Sequence, residues 1–238
     1  VSAFQDGRLV AAFALAPDDA LLRGAAVFTT LRVAAGAPVW LEAHLARLRH
    51  DAAVMGLPAV DGRAGDWVCV ASQALGDGRL RLTQTSHSGL LMNTGPLPAR
   101  PAVLSAVCAP WPGSGLPAWV KHTSRLAGDR RRAEAGVDEV LWVDGEGCLL
   151  EGSWSTVFAL EPDGGLWTPP TDGRILPGIT RSAVLAAARR EGRGVREAPL
   201  PLGWERPLAI GSSLLGLRPL ATLDSRSLPQ ADWPELQR

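Results

Sequence analysis

Residues 109–119 read "APWPGSGLPAW", three prolines and two glycines in eleven positions. Proline has no amide hydrogen and clashes with a preceding helical turn. Glycine weakens a helix or strand interior. Such a stretch cannot lie inside a helix or a central strand, so it reads as a linker. The 238 residues are enough for one large domain or two small ones sharing an interface. Directly after the linker stands "VKHTSRL", which holds the chain's only lysine, Lys121, among 24 basic residues.

A lysine that drifted would sit on a solvated face among other charges. Lys121 instead follows Trp119 and Val120, which read as a short buried strand. Arginine cannot replace it chemically. A guanidinium stays protonated, whereas an amine lowered in pKa by burial can act as a base or form a Schiff base. Lys121 is therefore a candidate catalytic residue.

Composition excludes several classes. Acidic and basic residues balance at 24 each, which leaves no nucleic-acid footprint and no polybasic membrane patch. The run Arg130–Arg132 lies in a helix-like segment and reads as a solvated face. No stretch is long and apolar enough for a membrane span, and "VSAFQDGRLV" does not read as a signal peptide. Cys69, Cys108 and Cys148 are widely spaced in apolar runs and fit buried thiols in a reducing cytoplasm. The four histidines show no ligand spacing, so no metal is expected. Nine tryptophans accompany no tyrosine, so no tyrosine serves as acid or base.

Periodicity gives the elements. "RLVAAFAL" (8–15) and "GAAVFTTLRV" (24–33) are β-like, and "AAGAPVW" makes a turn and short return strand. In "LEAHLARLRHDAAVMGL", Leu41, Leu45, Leu48, Ala52 and Met55 fall on one helical side. A second helix is expected in "GRAGDWVCVASQALG". Strands "RLRLTQT", "GLLMNTG" and "AVLSAVC" follow, an α/β unit with a mainly antiparallel sheet. Beyond the linker, "TSRLAGDRRRAEAG" reads as a helix capped by Thr123 or Ser124 and stopped by Gly136. Strands "DEVLWVD" and "CLLEG" flank a tight turn, and "STVFALE" and "LWTPP" flank another. "GITRSAVLAAARREG" is a helix opened by a Pro-Gly step. Short strands close the chain.

Four features stand together. Lys121 follows the linker. Glu151 ends the apolar strand in "CLLEGSWSTVF". "LPGITR" opens a helix at Gly178 to Thr180, where exposed N–H groups and the helix dipole favour an anion. "GSS" at Gly211 to Ser213 closes another strand. Taken alone, the last three read as a strand-end carboxylate, a plain N-cap and a turn. Together, from Lys121 to Arg181, they resemble the fold-type-IV pyridoxal-phosphate enzymes. The resemblance runs through "AEAGVDEVLWVDGEGCLLEGSWSTVF" (133–158) and "TPPTDGRILPGITRSAVL" (168–185). In the first half it rests on "RGAAVFTTLRV" (23–33) and "HLARL" (44–48).

The resemblance implies an α/β (α+β) fold of two domains: a smaller N-terminal α/β domain at 1–109, a linker at 110–118, and a larger β-barrel-like domain at 119–238. It implies pyridoxal 5'-phosphate as cofactor, with Lys121 binding it covalently and later moving protons. Glu151 would face the pyridine nitrogen and keep it protonated. Arg47, in the family's "H-x-x-R-L" motif, would grip the phosphate from the edge of the stripe packed by Leu45 and Leu48. Ile179 and Thr180 would form a helix-start phosphate cup, completed by the Ser213 hydroxyl.

Within the family the chain looks most like an aminodeoxychorismate lyase. It has Phe28-Thr29-Thr30 where aminotransferases commonly read F-E-T. No tyrosine follows Lys121, and "KHTSRL" resembles the lyase pattern "K-H-x-N-R-L", with Ser124 in place of asparagine. The implied reaction converts 4-amino-4-deoxychorismate into 4-aminobenzoate and pyruvate, a step of folate synthesis. A hydroxyl of Thr29 or Thr30, preferably Thr30, would donate a proton to the leaving oxygen. The alternative is a branched-chain or D-amino-acid aminotransferase of the same fold. A homodimer in the cytoplasm, acting on a small molecule with no nucleic acid or membrane partner, is what the family leads one to expect.

Overall fold

The computed structural model of the chain describes residues 2–13, 19–99, 101–113, 115–202 and 205–235. The backbone gathers into two compact units, Val1–Ala99 with Val120–Ser124, and Arg100–Trp119 with Arg125–Arg238.

The first unit contains β1 (Ala3–Gln5), β2 (Arg8–Val10), α1 (Asp19–Arg23), β3 (Val27–Ala34), β4 (Ala37–Pro38), α2 (Leu41–Val54), α3 (Ala64–Leu75), β5 (Gly78–Gln84) and β6 (Leu90–Gly95). Its sheet runs β2-β1-β6-β5-β3-β4, antiparallel throughout. The strand expected over 8–15 stops at Val10, and Ala14 and Leu15 lie outside the described residues. Alternation along β3 and β5 sends Val27, Leu31, Val33, Leu80 and Leu82 into a core that also holds Leu45, Leu48 and Ala52 of α2 and Val68 and Ala71 of α3. The expected stripe of α2 packs as read, with Leu41 and Met55 at its margin. The opposite face of the sheet alternates to Phe28, Thr30 and Arg32 on β3 and to Arg79, Arg81 and Thr83 on β5.

The second unit contains β7 (Leu104–Pro110), α4 (Leu126–Ala135), β8 (Glu139–Val143), β9 (Cys148–Gly152), β10 (Thr156–Leu160), β11 (Leu166–Thr168), α5 (Ile179–Arg190), β12 (Val195–Glu197), β13 (Leu200–Pro201), β14 (Leu208–Ser212), β15 (Gly216–Leu223) and β16 (Arg226–Ser227). Its strands follow the order β12-β11-β10-β14-β15-β7-β8-β9-β13, with β16 on β15, and form a half-barrel. Helix α5 packs Val184, Leu185 and Ala188 against Phe158, Leu166 and Ala209.

Several local readings change. β7 pairs in parallel with β8 and β15, so the strand before the proline-rich stretch lies in the second unit. Trp119 and Val120 form no buried strand. Trp119 is 41% exposed, and the segment makes only an isolated bridge between Val27 and His122. Neither Thr123 nor Ser124 caps a helix. Their hydroxyls bond to the carbonyl of Gly24 instead, and α4 begins two residues later at Leu126 after Arg125. Gly136 ends α4 as expected, in the left-handed region at φ 64°. The three cysteines are free thiols but only partly buried.

Candidate functional site

Lys121 is held along β3 of the first unit. Its carbonyl accepts the Phe28 N–H at 2.9 Å, and the Thr123 N–H donates to Ala26 at 2.8 Å. The Lys121 N–H donates to Asp51 Oδ2, on α2, at 3.0 Å. Its Nζ lies 5.0 Å from the centre of the Phe28 ring. The Arg81 guanidinium covers the same ring at 3.8 Å.

The two threonines of "FTT" point to opposite faces of the sheet, as alternation requires. Thr29 is fully buried on the side of α2. Its Oγ1 lies 2.6 Å from His44 Nδ1 and accepts from Arg47 Nη2 at 2.9 Å. Arginine only donates, so the Thr29 hydroxyl proton needs another acceptor, and His44 Nδ1 is the one in reach among the described residues. His44 is then neutral, with its proton on Nε2. Burial, followed by the charges of Arg47 and Lys121, lowers its pKa to about 3. Thr30 lies on the face that carries Phe28 and Arg81.

That face is strongly basic. Arg32 stands directly opposite Arg79, and Thr30 opposite Arg81. Like charges across a strand pair repel. Among the described residues no carboxylate pairs with Arg32 or Arg79. Arg32 Nε is buried with no hydrogen-bond partner. A surface built against its own repulsion is suited to anions.

In the second unit Glu151 is the penultimate residue of β9, buried, with Oε2 accepting the Leu176 N–H at 3.2 Å. The turn after it is fixed by a second carboxylate. Glu139, on β8 and fully buried, accepts from the Val140 N–H at 2.8 Å, the Ser153 N–H at 3.0 Å, and the hydroxyls of Ser153 and Ser155 at 2.6 Å each. Burial raises its pKa while these donors pull it back. Gly152 must be glycine, because a Cβ there would meet Glu139 Oε2 at 2.6 Å and Ser155 Oγ closer still.

Helix α5 opens at Ile179 after Gly178, whose extended backbone is the N-cap and supplies no side-chain cap. The first-turn N–H groups are left for an external acceptor. Thr180 is buried, and its Oγ1 lies 3.5 Å from Ser213 Oγ, just past the end of β14. Two hydroxyls and an uncapped helix start are the donor set a phosphate requires, so these residues fit a phosphate-bearing cofactor.

Thr29, Arg47 and Lys121 thus lie in the first unit, and Ile179, Thr180 and Ser213 in the second, where Glu151 stands next to the end of β9. Asp51, Glu139 and the three sheet arginines were missed in the sequence, and His44 entered only as the first residue of the H-x-x-R-L motif, without a role. The arginines had a signal, the alternation in "RLRLT" and "TTLRV". His44 and Asp51 had one too, since they stand three residues after Leu41 and Leu48, beside the apolar stripe of α2.

Among the described residues no helix is long and apolar enough to cross a membrane. The model of the family "Amino-transferase class IV" matches residues 26–222. A bifunctional aminodeoxychorismate lyase / D-amino acid transaminase of Mycobacterium tuberculosis is 32% identical over 263 residues, covering 93% of this chain and 89% of that protein. A hypothetical aminotransferase of M. tuberculosis in its PLP-bound form superposes with a TM-score of 0.85 at 30% identity, over 97% of this chain and 93% of that one. The 4-amino-4-deoxychorismate lyase of Pseudomonas aeruginosa superposes with a TM-score of 0.82 at 25% identity, over 97% and 94%. This chain belongs to the class IV aminotransferase family of pyridoxal-phosphate enzymes.

Proposed function

We propose that the chain is a 4-amino-4-deoxychorismate lyase, releasing 4-aminobenzoate and pyruvate in folate synthesis. The observation that carries this is the arginine face of the first unit, where Arg32, Arg79 and Arg81 share the sheet surface with Phe28 and the Lys121 amine. The substrate carries two carboxylates, which guanidinium groups bind well. The substitution of Thr29 for the glutamate of F-E-T supports the same reading.

Bound pyridoxal phosphate would hold the substrate nitrogen and take up the electrons released when the adjacent C–H bond breaks. Lys121 takes that ring proton with its amine. Glu151 would supply a negative charge to the pyridine nitrogen and so favour its protonated form. Thr30 donates a proton to the oxygen of the departing enolpyruvyl group. The enol then becomes pyruvate, and the ring becomes aromatic. By the family resemblance, Arg47 of the first unit and, in the second, the N–H groups of Ile179 and Thr180 with the hydroxyls of Thr180 and Ser213 would supply the phosphate donors. A cytoplasmic homodimer is part of this reading, on the strength of the family resemblance.

A second reading, D-amino-acid transamination by the same residues, is favoured by the M. tuberculosis relative, whose name joins both activities. The deciding assay offers aminodeoxychorismate without a keto acid, and separately D-alanine with a keto acid. The lyase reading expects 4-aminobenzoate and pyruvate in equal amounts from the first. Turnover of the second alone would replace it by transamination.

A further inference from the structure

Asp51 occupies the last turn of α2 and is fully buried. Three physical effects oppose a carboxylate there. Burial disfavours its charge. The C-terminal end of a helix carries partial negative charge and repels it. Its Oδ1 is buried without a hydrogen-bond donor, and an unmet acceptor costs stability. Packing alone would select an apolar residue at this position, as it does at neighbouring Ala52.

What Asp51 does hold is the main chain of Lys121. Oδ2 accepts the Lys121 N–H at 3.0 Å, while the Lys121 carbonyl accepts the Phe28 N–H at 2.9 Å. One polar group of that residue is tied to α2 and the other to β3. No regular strand fixes this segment, which follows a proline-rich stretch and makes only the Val27–His122 bridge. A carboxylate is a stronger acceptor for an N–H than a neutral oxygen. Arg47 and Lys121 supply positive charge near Asp51. They and the Lys121 N–H favour its ionised form against burial, which raises its pKa.

We infer that Asp51 is a positioning residue for the Lys121 amine. By fixing the peptide unit from which the side chain departs, it sets where the amine takes and returns its proton. The inference rests on reading Lys121 as the cofactor lysine, and its test separates the two.

The chain has a single lysine, so growth on [15N]lysine gives a protein with one labelled backbone amide. In the wild type that amide is expected to exchange slowly with solvent, because its N–H is bonded to Asp51. Asp51→Ala is expected to move its resonance and speed its exchange by roughly 10-fold or more, the size of one charge-assisted hydrogen bond. The same variant loses kcat by roughly 10-fold with KM within about twofold, the split expected when positioning of a reacting group is lost. Asp51→Asn, which keeps an acceptor oxygen, recovers most of both. A folded Asp51→Ala protein with the wild-type resonance and exchange overturns the anchor, and a shifted amide with unchanged kcat overturns the positioning role. Should Asp51→Ala fail to fold, Asp51→Leu decides by the same readouts, because it fills the site without an acceptor, and a wild-type amide resonance and exchange there overturn the anchor. An anchored amide in a protein whose Lys121 takes no pyridoxyl group on borohydride reduction leaves the anchor standing and removes the functional reading.

Discussion

In the first unit one helix, α2, reaches the candidate groups with three side chains. His44 and Arg47 meet Thr29, and Asp51 meets the Lys121 N–H. In the second unit the donors at the start of α5 are main-chain N–H groups, joined by the Thr180 and Ser213 hydroxyls. There the buried carboxylate Glu139 is met by two N–H groups and two hydroxyls within 3.0 Å. A side-chain network has one atom per task, so a single substitution removes the task. A backbone cradle survives the loss of one side chain. Substitutions in the first cluster should therefore cost more than matched ones in the second.

The largest test sets Lys121 against Glu151. Lys121→Ala removes the proposed proton carrier and is expected to lower kcat by roughly 10³-fold or more, within the range of general acid–base catalysis. Glu151→Gln keeps the shape and loses the charge. It is expected to retain the cofactor while kcat falls by roughly 10²-fold, as when an electrostatic stabiliser is removed. Steady-state kinetics on cofactor-saturated protein check both. Wild-type turnover in either variant withdraws that residue's role, and a larger loss at Glu151 reverses the contrast between the units.

The parts of this contrast that the sequence made legible are those with a local signature. The stripe of α2 showed its 3.6-residue period, the α5 start showed Pro-Gly before an apolar run, and Gly136 marked the end of α4. The placement of β7 was hidden because parallel pairing joins it to β8 and β15, and nothing in "AVLSAVC" records partners so far along the chain. The caps at Thr123 and Ser124 failed for a related reason. Their hydroxyls found the Gly24 carbonyl, 99 and 100 residues away, before they found the helix. Asp51 and His44 flank the apolar stripe of α2, but their partners, the Lys121 N–H and Thr29, are set by tertiary contacts that the helix period does not record.

A smaller effect is expected on cofactor retention. Arg47→Ala removes a charge-assisted contact and should weaken the dissociation constant for pyridoxal phosphate by roughly 10- to 100-fold. Thr180→Ala leaves the N–H groups of α5 in place and should weaken it by only about 2- to 10-fold. Equilibrium titration followed by absorbance measures both. Equal losses would mean that the helix start holds the phosphate no more redundantly than the guanidinium does.

The smallest test concerns pH and isolates His44. Its native pKa, about 3, lies below the ordinary histidine value of 6.5 because the ring is buried beside Arg47 and Lys121. Between those values the unfolded chain binds a proton that the folded chain refuses. Stability from the neutral ring is therefore complete above pH 6.5 and is lost as pH falls toward 3, with a slope of at most about 1.4 kcal/mol per pH unit. Asp51 and Glu139 act in the opposite sense. Their native pKa values are raised, so the folded state takes up protons more readily and gains relative stability on acidification. The wild type alone would show only the sum. His44→Gln keeps a polar group against Thr29 but cannot titrate, so the difference between wild type and variant carries the histidine contribution. Urea unfolding at pH 7, 6 and 5 should show wild-type stability falling away relative to the variant at each step down. Parallel curves would mean that folding leaves the His44 pKa at its ordinary value and would overturn the shift attributed to its burial.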